Sequence, residues 1–123
     1  MACICYPEHP MSQYDSVTTD MLTGSFVACS PRQIPGSVFA AQSSVLSGLP
    51  PEQRYFTEGV GSAFTLIKAR LGYTLYPDVP RVRDPELRYI PVSDLPRLPF
   101  GVFYRYDEDH PALKKFLRLC SEL

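Results

Sequence analysis

The sequence lacks both the charge excess and the long apolar run that several classes of protein require. Twelve lysines and arginines are balanced by 13 aspartates and glutamates, for a formal net charge of −1. The segment therefore offers no basic surface for the phosphates of a nucleic acid. No apolar run approaches the ~18 residues of a membrane span, and no signal-peptide pattern opens the chain. We expect a cytoplasmic protein with no membrane partner.

The spacing of the cysteines does not fit the common metal or redox motifs. The four cysteines are Cys3, Cys5, Cys29 and Cys120, and no CxxC pair occurs among them. Cys3 and Cys5 would face the same side of a strand, and all four have apolar neighbours. We expect reduced core cysteines, no metal and no cofactor. The acidic run at residues 107–109 is interpreted as a solvated turn rather than a cation site.

Motifs for catalysis and for nucleotide binding are also missing. The chain has no P-loop and no GxGxxG, because the glycine pair at residues 59–61 lacks a third glycine. Neither Ser37 nor Ser62 lies in a GxSxG elbow. His9 and His110 each precede a proline far apart in the sequence, and we predict that both are solvated turn residues. The chain is therefore predicted not to be an enzyme.

The residues that are present indicate a globular chain built from short elements. Hydrophobic and charged residues make up 45% and 20% of its 123 residues, and this length fits one domain or one lobe of a larger one. Thirteen prolines, about twice the usual ~5% share, predict many firm turns. Short apolar runs between these turns predict strands. The predicted strands cover residues 2–6, 25–29, 54–58, 73–76, 88–92 and 100–105.

The first two predicted helices follow serines that suit a helix N-terminus. One is capped by Ser16 and runs to about residue 22, with Gly24 just beyond its end. The other is capped by Ser37 and ends at Gly48 and the Pro50-Pro51 pair. Its predicted apolar stripe comprises Val38, Ala41, Val45 and Leu49.

Two further helices are predicted in the second half of the chain. One runs from Ser62 to Gly72, with Phe64, Ile67 and Leu71 facing the core. The last is capped by Asp109 or His110 and holds Pro111 in its first turn, where a missing N–H costs nothing. Its predicted apolar stripe comprises Leu113, Phe116, Leu117, Cys120 and Leu123.

The alternation of strand, loop and helix predicts an α/β domain with a mostly parallel sheet flanked by helices. Ligands of such sheets bind beyond the carboxyl ends of the strands, next to helix N-termini. Residues 30–37 and 59–62 follow predicted strands and lead into predicted helices. Glycines at residues 59 and 61 would let a ligand approach the helix N–H groups, or would simply form a tight turn.

A series of short motifs spans nearly the whole chain. YPEHPM at residues 6–11 matches a PxxHPL turn, and residues 20–22 with 24–27 match a dL…pfi element. Gly36-Ser37 matches a GS helix start, and ARLGYTLYP at residues 69–77 matches aGlGialvP with Arg70 in place of the first glycine. Residues 100–120 match a strand, an hP step and an alraFl helix. Their order resembles the C-terminal part of the effector-binding domain of LysR-type transcriptional regulators.

This resemblance implies a type II periplasmic-binding-protein-like fold that is incomplete in this chain. Residues 1–123 would form a single partial effector-binding domain. Residues of about 12–95 would form its second lobe, known as regulatory subdomain II. Residues 1–11 and 96–123 would be hinge strands and the return into the first lobe. The first half of that lobe and an N-terminal winged helix-turn-helix are expected to precede Met1.

The resemblance also implies a function and a site. A small metabolite, often anionic, would bind between the lobes and shift a homo-oligomer, while DNA binding would belong to the missing helix-turn-helix. Serine hydroxyls and helix N–H groups would hold a carboxylate of this effector. The implied effector-binding residues are Ser30, Gln33, Gly36, Ser37, Gly59, Val60, Gly61 and Ser62. Because the first-lobe hydroxyls are missing, we expect weak binding by this chain alone.

Two alternatives share the predicted fold. A periplasmic-type small-molecule binding protein would carry a secretory leader, and a stand-alone interaction module would use a vestigial cleft. The sequence upstream of Met1 would separate these alternatives from a regulator.

Overall fold

The computed structural model describes residues 1–122, which contain one five-stranded sheet and three α-helices, of which the first two pack against the sheet. Its strands are β1 (Ala2–Cys5), β2 (Phe26–Cys29), β3 (Arg54–Thr57), β4 (Tyr73–Tyr76) and β5 (Arg88–Pro91). Its α-helices are α1 (Gly36–Ser47), α2 (Val60–Lys68) and α3 (Pro111–Ser121). Among the described residues, none of the helices combines the length and apolar character that a membrane crossing requires.

The sheet has the strand order β3-β2-β4-β1-β5 and is mixed. β2 is parallel to β3 and to β4, whereas β1 is antiparallel to its neighbours β4 and β5. β2, β3, β4 and β5 therefore run in one direction, and β1 runs against them. The predicted α/β class, with a sheet flanked by helices, is confirmed, and the sheet is mixed.

Alternating side chains of the central strands supply two apolar clusters, one on each face of the sheet. Cys3, Cys5 and Phe26 lie in the cluster that contains Val45 of α1 and is extended by partly buried Ala41. Ala2, Ile4, Val27 and Cys29 lie in the other cluster, with Ala63 and Ile67 of α2. Cys3 and Cys5 share a face as predicted, and with Cys29 they are buried free thiols.

Both central helices begin earlier than their serines predicted. The N–H of Val38 donates to the C=O of Pro35 at 3.0 Å, so Pro35 occupies the cap position of α1 and Ser37 lies inside the first turn. Gly59 is likewise the cap residue of α2, and Ser62 lies in its first turn. Neither cap residue provides a side-chain hydrogen bond. The serine caps were wrong predictions because the backbone turns into the helix before each serine.

The end of α2 also differs from the prediction, because the helix stops at Lys68 instead of Gly72. Arg70 adopts a left-handed conformation with φ of 67°. Its N–H donates to the C=O of Ile67 at 2.9 Å, and the N–H of Leu71 donates to the C=O of Leu66 at 3.1 Å. These two bonds are the Schellman arrangement that closes a helix. Leu71 is consequently exposed and does not belong to the inward face.

Two predicted elements are not formed. Residues 100–105 are not a strand, because no neighbouring strand among residues 1–122 pairs with them. The helix predicted over residues 16–22 is reduced to a 3₁₀ turn, Thr19–Met21. Ser16 does not cap it: its hydroxyl donates to the C=O of Pro91 at 3.3 Å, and Val17 forms a bridge with Val92. Pairing with the end of β5 therefore outweighs helix formation here.

The two histidines have different environments. His110 is exposed and caps α3, with its Nδ1 accepting the N–H of Ala112 at 3.1 Å, and Pro111 follows at the first helical position as predicted. His9 is only 9% exposed, so its prediction as a solvated residue was wrong. Its ring packs edge-on against Tyr6 and Tyr73, because the turn after β1 folds back over the sheet.

The predicted apolar stripe of α3 is present but poorly covered. Leu113, Leu117 and Cys120 are half-buried, whereas Phe116 is exposed. The fifth predicted member of the stripe, Leu123, lies outside the described residues. The helix therefore keeps an apolar side with no packed partner within residues 1–122.

Candidate functional site

The candidate site lies at the edge of the sheet where β2, β3 and β4 end. β2 continues into a turn in which the N–H of Gln33 donates to the C=O of Ser30 at 2.9 Å, and this turn leads to α1. β3 continues through Glu58 into α2. Because these strands are parallel, the segments that leave them meet at one edge. All eight predicted effector-binding residues belong to these two segments.

The N-terminus of α1 presents backbone donors to its surroundings. The first backbone bonds of α1 run from the N–H groups of Val38 and Phe39 to the C=O of Pro35. Within residues 1–122, the N–H groups of Gly36 and Ser37 have no hydrogen-bond partner, as is usual at the start of a helix. Pro35 has no side-chain donor or acceptor with which to cap the helix. Gly36 and Ser37 are both exposed. This end of α1 can therefore donate to an external acceptor.

The N-terminus of α2 is open in the same way. Gly59 is extended at φ of −149°, and the first backbone bond of the helix runs from the N–H of Ala63 to its C=O at 3.1 Å. A Cβ built on Gly59 or Gly61 would meet no atom within 4 Å. Neither backbone conformation nor internal packing therefore requires glycine here. The glycines leave the N–H groups of Val60, Gly61 and Ser62 accessible.

A pocket of about 420 Å³ opens beside Ser30, between α1 and the ends of β2 and β3. We call it the Ser30 pocket. Cys29 lies in its wall, where burial raises the pKa of the thiol while hydrogen bonds with Gln42 and Thr57 oppose that rise. The pocket is lined by Ala28, Cys29, Ser30, Pro31, Phe39, Gln42, Ser43, Leu46, Phe56, Thr57 and Glu58.

A wider groove of about 830 Å³ opens beside Ser37. We call it the Ser37 groove. Its polar wall includes Asp78, which is paired with Arg83 at 2.7 Å between Oδ1 and Nε. Arg97 also lines this groove and forms no ion pair within residues 1–122. The groove is lined by Met1, Pro35, Ser37, Tyr76, Pro77, Asp78, Val79, Pro80, Pro91, Val92, Ser93, Leu95, Arg97, Leu98, Pro99 and Phe100.

The structure divides the predicted site residues among different surfaces. Ser30 lines the Ser30 pocket, and Ser37 lines the Ser37 groove. The segment 59–62 lines neither of these concavities, although it lies at the same sheet edge. Arg97 was missed by sequence reasoning because one arginine in a proline-rich segment carries no periodicity. A basic residue between Pro96 and Pro99 was the only sequence feature available.

One family of binding domains matches the whole chain. The model of the LysR substrate binding domain matches residues 1–123. The chain therefore belongs to the LysR substrate binding domain family, which consists of regulatory ligand-binding modules with a periplasmic-binding-protein-like fold. The resemblance inferred from the order of the motifs is confirmed.

A solved structure supports the fold. The chain is similar to the effector binding domain of QuiR in complex with shikimate, with a TM-score of 0.59 and 13% sequence identity. The similarity covers 95% of this chain and 57% of that chain, so this chain spans little more than half of the QuiR domain. No curated protein sequence matches the chain at a significant level.

Proposed function

We propose that this chain is the effector-sensing part of a LysR-type transcriptional regulator and forms one wall of a cleft for a small anionic metabolite. The observation that carries the proposal is the pair of uncapped helix N-termini at one sheet edge. Backbone N–H groups and the helix dipole favour a carboxylate or phosphate at such a position. Family membership supports this edge as the ligand side.

The Ser37 groove supplies the other groups that an anionic, hydroxylated ligand needs. Ser37 offers a hydroxyl beside the exposed N–H groups of α1, and Arg97 offers on the same groove a guanidinium that has no ion pair among residues 1–122. A guanidinium binds a carboxylate through two parallel hydrogen bonds. We propose that the effector occupies this groove and extends toward the residues predicted from the sequence, Ser30, Gln33, Gly36, Gly59, Val60, Gly61 and Ser62.

The remaining walls of the cleft are proposed to come from a first lobe. The QuiR domain is considerably longer than the part similar to this chain, which supports a binding site completed by other residues. In this proposal residues of about 12–95 are the second lobe, and residues 1–11 and 96–123 connect it to the first. The regulator would act in the cytoplasm as a homo-oligomer and would bind DNA through a separate helix-turn-helix domain.

Amide chemical shifts test the proposal even where affinity is weak. We expect shikimate, a cyclic hydroxycarboxylate, and other small carboxylates to shift the backbone amide signals of Gly36, Ser37, Gly61 and Ser62 in a ¹⁵N-labelled chain. The methyl ester of each acid is the matched uncharged ligand and should produce smaller shifts. Shifts confined to other surfaces, or equal shifts with the esters, would contradict an anion site at this edge.

A glycine pair provides the matched variants for the same titration. Gly61→Ala adds a methyl group in open space at the N-terminus of α2, and Gly48→Ala adds one at the far end of α1 in ordinary contact with the C=O of Val45. Both variants should fold. Only Gly61→Ala should reduce the carboxylate-induced shifts, because only that methyl group lies beside the proposed donors.

A further inference from the structure

The Ser37 groove contains one acidic side chain within residues 1–122, that of Asp78. Asp78 follows β4 and Pro77, at the sheet edge where the candidate site lies. The other charged side chain that lines the groove is Arg97, and most of the remaining lining side chains are apolar. A ligand in this groove therefore meets one carboxylate and one guanidinium on a largely apolar wall.

The carboxylate of Asp78 is held in place by Arg83. Nε of Arg83 donates to Oδ1 of Asp78 at 2.7 Å, and Nη2 of Arg83 donates to Oδ2, which is the bidentate arrangement of a strong ion pair. A turn brings the two residues together, since the N–H of Val82 donates to the C=O of Val79 at 2.9 Å. The side chain of Asp78 is only 19% exposed. The orientation of the carboxylate is therefore fixed before a ligand binds.

Arg83 is itself supported by β5. Its guanidinium carbon lies 5.4 Å from the centre of the Tyr89 ring, and the hydroxyl of Tyr89 accepts the N–H of Asp84 at 2.8 Å. Tyr89 belongs to β5, which is separated from β4 by β1 in the sheet. These contacts connect the segment that follows β4 to a strand beyond β1. The carboxylate of Asp78 thus rests on a rigid part of the fold.

The pair with Arg83 leaves Asp78 able to accept further hydrogen bonds. An ionised carboxylate has about four acceptor positions, and Arg83 occupies one position on each oxygen. Asp78 lines the groove, whereas Arg83 does not, so a ligand in the groove reaches the carboxylate but not its counter-ion. Because Arg83 already balances the charge of Asp78, a neutral donor such as a hydroxyl suits this position better than a second cation.

We propose that Asp78 is a specificity-determining residue of the Ser37 groove and accepts a hydrogen bond from a hydroxyl group of the bound acid. The ligand is then a hydroxy acid, whose carboxylate binds at Arg97 and the N-terminus of α1. Asp78 has no donor for a carboxylate and repels one, so the acid binds in one orientation. Arg83 is a positioning residue that acts through Asp78. This inference rests on the proposed function and adds the group that distinguishes one acid from another.

Two acids that differ only in their hydroxyl groups test the proposal. Cyclohex-1-ene-1-carboxylate has the ring and the carboxylate of shikimate and lacks its hydroxyls. We expect shikimate to bind the wild-type chain roughly ten-fold more tightly, because it can donate a hydrogen bond to a charged acceptor. Dissociation constants are measured from the amide shifts of the ¹⁵N-labelled chain. Equal affinities for the two acids would overturn the proposal.

Removal of the carboxylate should abolish this preference. Asp78→Ala should weaken the binding of shikimate roughly ten-fold. It should leave cyclohex-1-ene-1-carboxylate bound as tightly as before, or more tightly, since a repelling charge is gone. Glu86→Ala is the matched control, because Glu86 is also ion-paired, with Lys68 at 3.0 Å, but does not line the groove. A preference for shikimate that survives in Asp78→Ala would contradict the role of Asp78.

Arg83→Gln tests the positioning role. It leaves the carboxylate of Asp78 on the groove without its counter-charge, so both acids should bind more weakly and the preference for shikimate should decrease. The ratio of the two dissociation constants is the readout, because partial unfolding lowers both apparent affinities by the same factor. The melting temperature of each variant is measured alongside. An unchanged ratio would show that Arg83 does not position Asp78.

Failure of this proposal differs from failure of the proposed function in the same titrations. If neither acid shifts the amide signals of Gly36, Ser37, Gly61 and Ser62, the anion site itself is wrong. If both acids shift those signals with equal affinity, the anion site stands and only the role of Asp78 is wrong.

Discussion

The side chain of Gln42 donates a hydrogen bond from Nε2 to the backbone C=O of Leu75 at 2.8 Å. Its Oε1 accepts the N–H of Cys29 at 2.9 Å, so one amide joins β2 to β4. The two strands pair directly only at Phe26 and Tyr73. Beyond that point they do not hydrogen-bond to each other, and the side chain of Gln42 bridges them instead. Gln42 thereby ties the middle of α1 to both strands.

Replacing Gln42 with leucine should strongly destabilise the chain. The change leaves the buried N–H of Cys29 and C=O of Leu75 unpaired, and each unsatisfied group costs about 1–3 kcal/mol. We expect Gln42→Leu to lower the free energy of unfolding by about 3 kcal/mol, measured by urea denaturation. Gln13→Leu makes the same change at an exposed position and should have little effect. Equal stability of the two variants would show that the amide is not needed.

Gln42 also illustrates what the sequence could and could not predict. The spacing of Val38 and Val45 placed α1 against the sheet, and the order of short motifs predicted the family. The need for a buried amide depends on the divergence of β2 and β4, which are distant in sequence. A pattern of apolar residues does not identify a glutamine that will be buried, so the role of Gln42 was not predicted.

Other differences have equally local reasons. Residues 100–105 alternate in a way that is typical of a strand, but alternation does not reveal whether a neighbouring strand exists. A histidine between charged and proline residues is usually solvated, and the burial of His9 results from the distant Tyr73. The helix starts were displaced because serine is favourable both at a cap and inside the first turn.

Arg70 should be less favourable than glycine at the end of α2. It occupies the left-handed position that glycine adopts without steric cost. Its guanidinium lies 5.7 Å from the centre of the Tyr6 ring and 3.7 Å from the carboxylate of Glu8, which are weak exposed contacts.

Two variants separate these effects. Arg70→Gly and Arg70→Ala both remove the guanidinium, but only alanine retains the steric cost of the left-handed backbone. Arg70→Gly should therefore be about 1 kcal/mol more stable than Arg70→Ala, measured by thermal and urea denaturation. An alanine variant as stable as the glycine variant would show that residue 70 leaves the left-handed region in the absence of arginine.

Acidification should destabilise the turn that contains His9. Nδ1 of His9 accepts the N–H of Met11 at 3.0 Å, which requires the neutral ring, and burial lowers the pKa of this histidine below its ordinary 6.5. The unfolded chain therefore takes up the proton first. The stabilising contribution of His9 is fully present above about pH 6.5 and is lost as the pH falls toward the lowered native pKa.

A variant that accepts the same bond without titrating tests this effect. The Oδ1 of asparagine can receive the N–H of Met11, so His9→Asn should weaken the decline in melting temperature between about pH 7.5 and 5. His110→Asn makes the same substitution at the exposed cap of α3 and controls for the loss of a histidine. A His9→Asn profile that follows the wild-type profile throughout would rule out His9 as the source of the decline.

Proteolysis should first separate the C-terminal segment from the sheet. Phe103 and Tyr106 are fully exposed, Phe100 is 90% exposed, and residues 100–105 have no strand partner among the described residues. Phe56 is also exposed, but it lies in a strand that is hydrogen-bonded to β2. A protease cleaves a segment only after its backbone has locally unfolded, so we expect this strand to resist cleavage. Brief chymotrypsin digestion followed by intact mass measurement should therefore yield a resistant fragment that begins at Met1 and ends within residues 100–106.

Phe103→Ser with Tyr106→Ser should slow this cleavage, whereas Phe116→Ser, inside α3, should leave its rate unchanged. A first cleavage after Phe56 would mean that β3 opens more readily than the segment that follows the sheet.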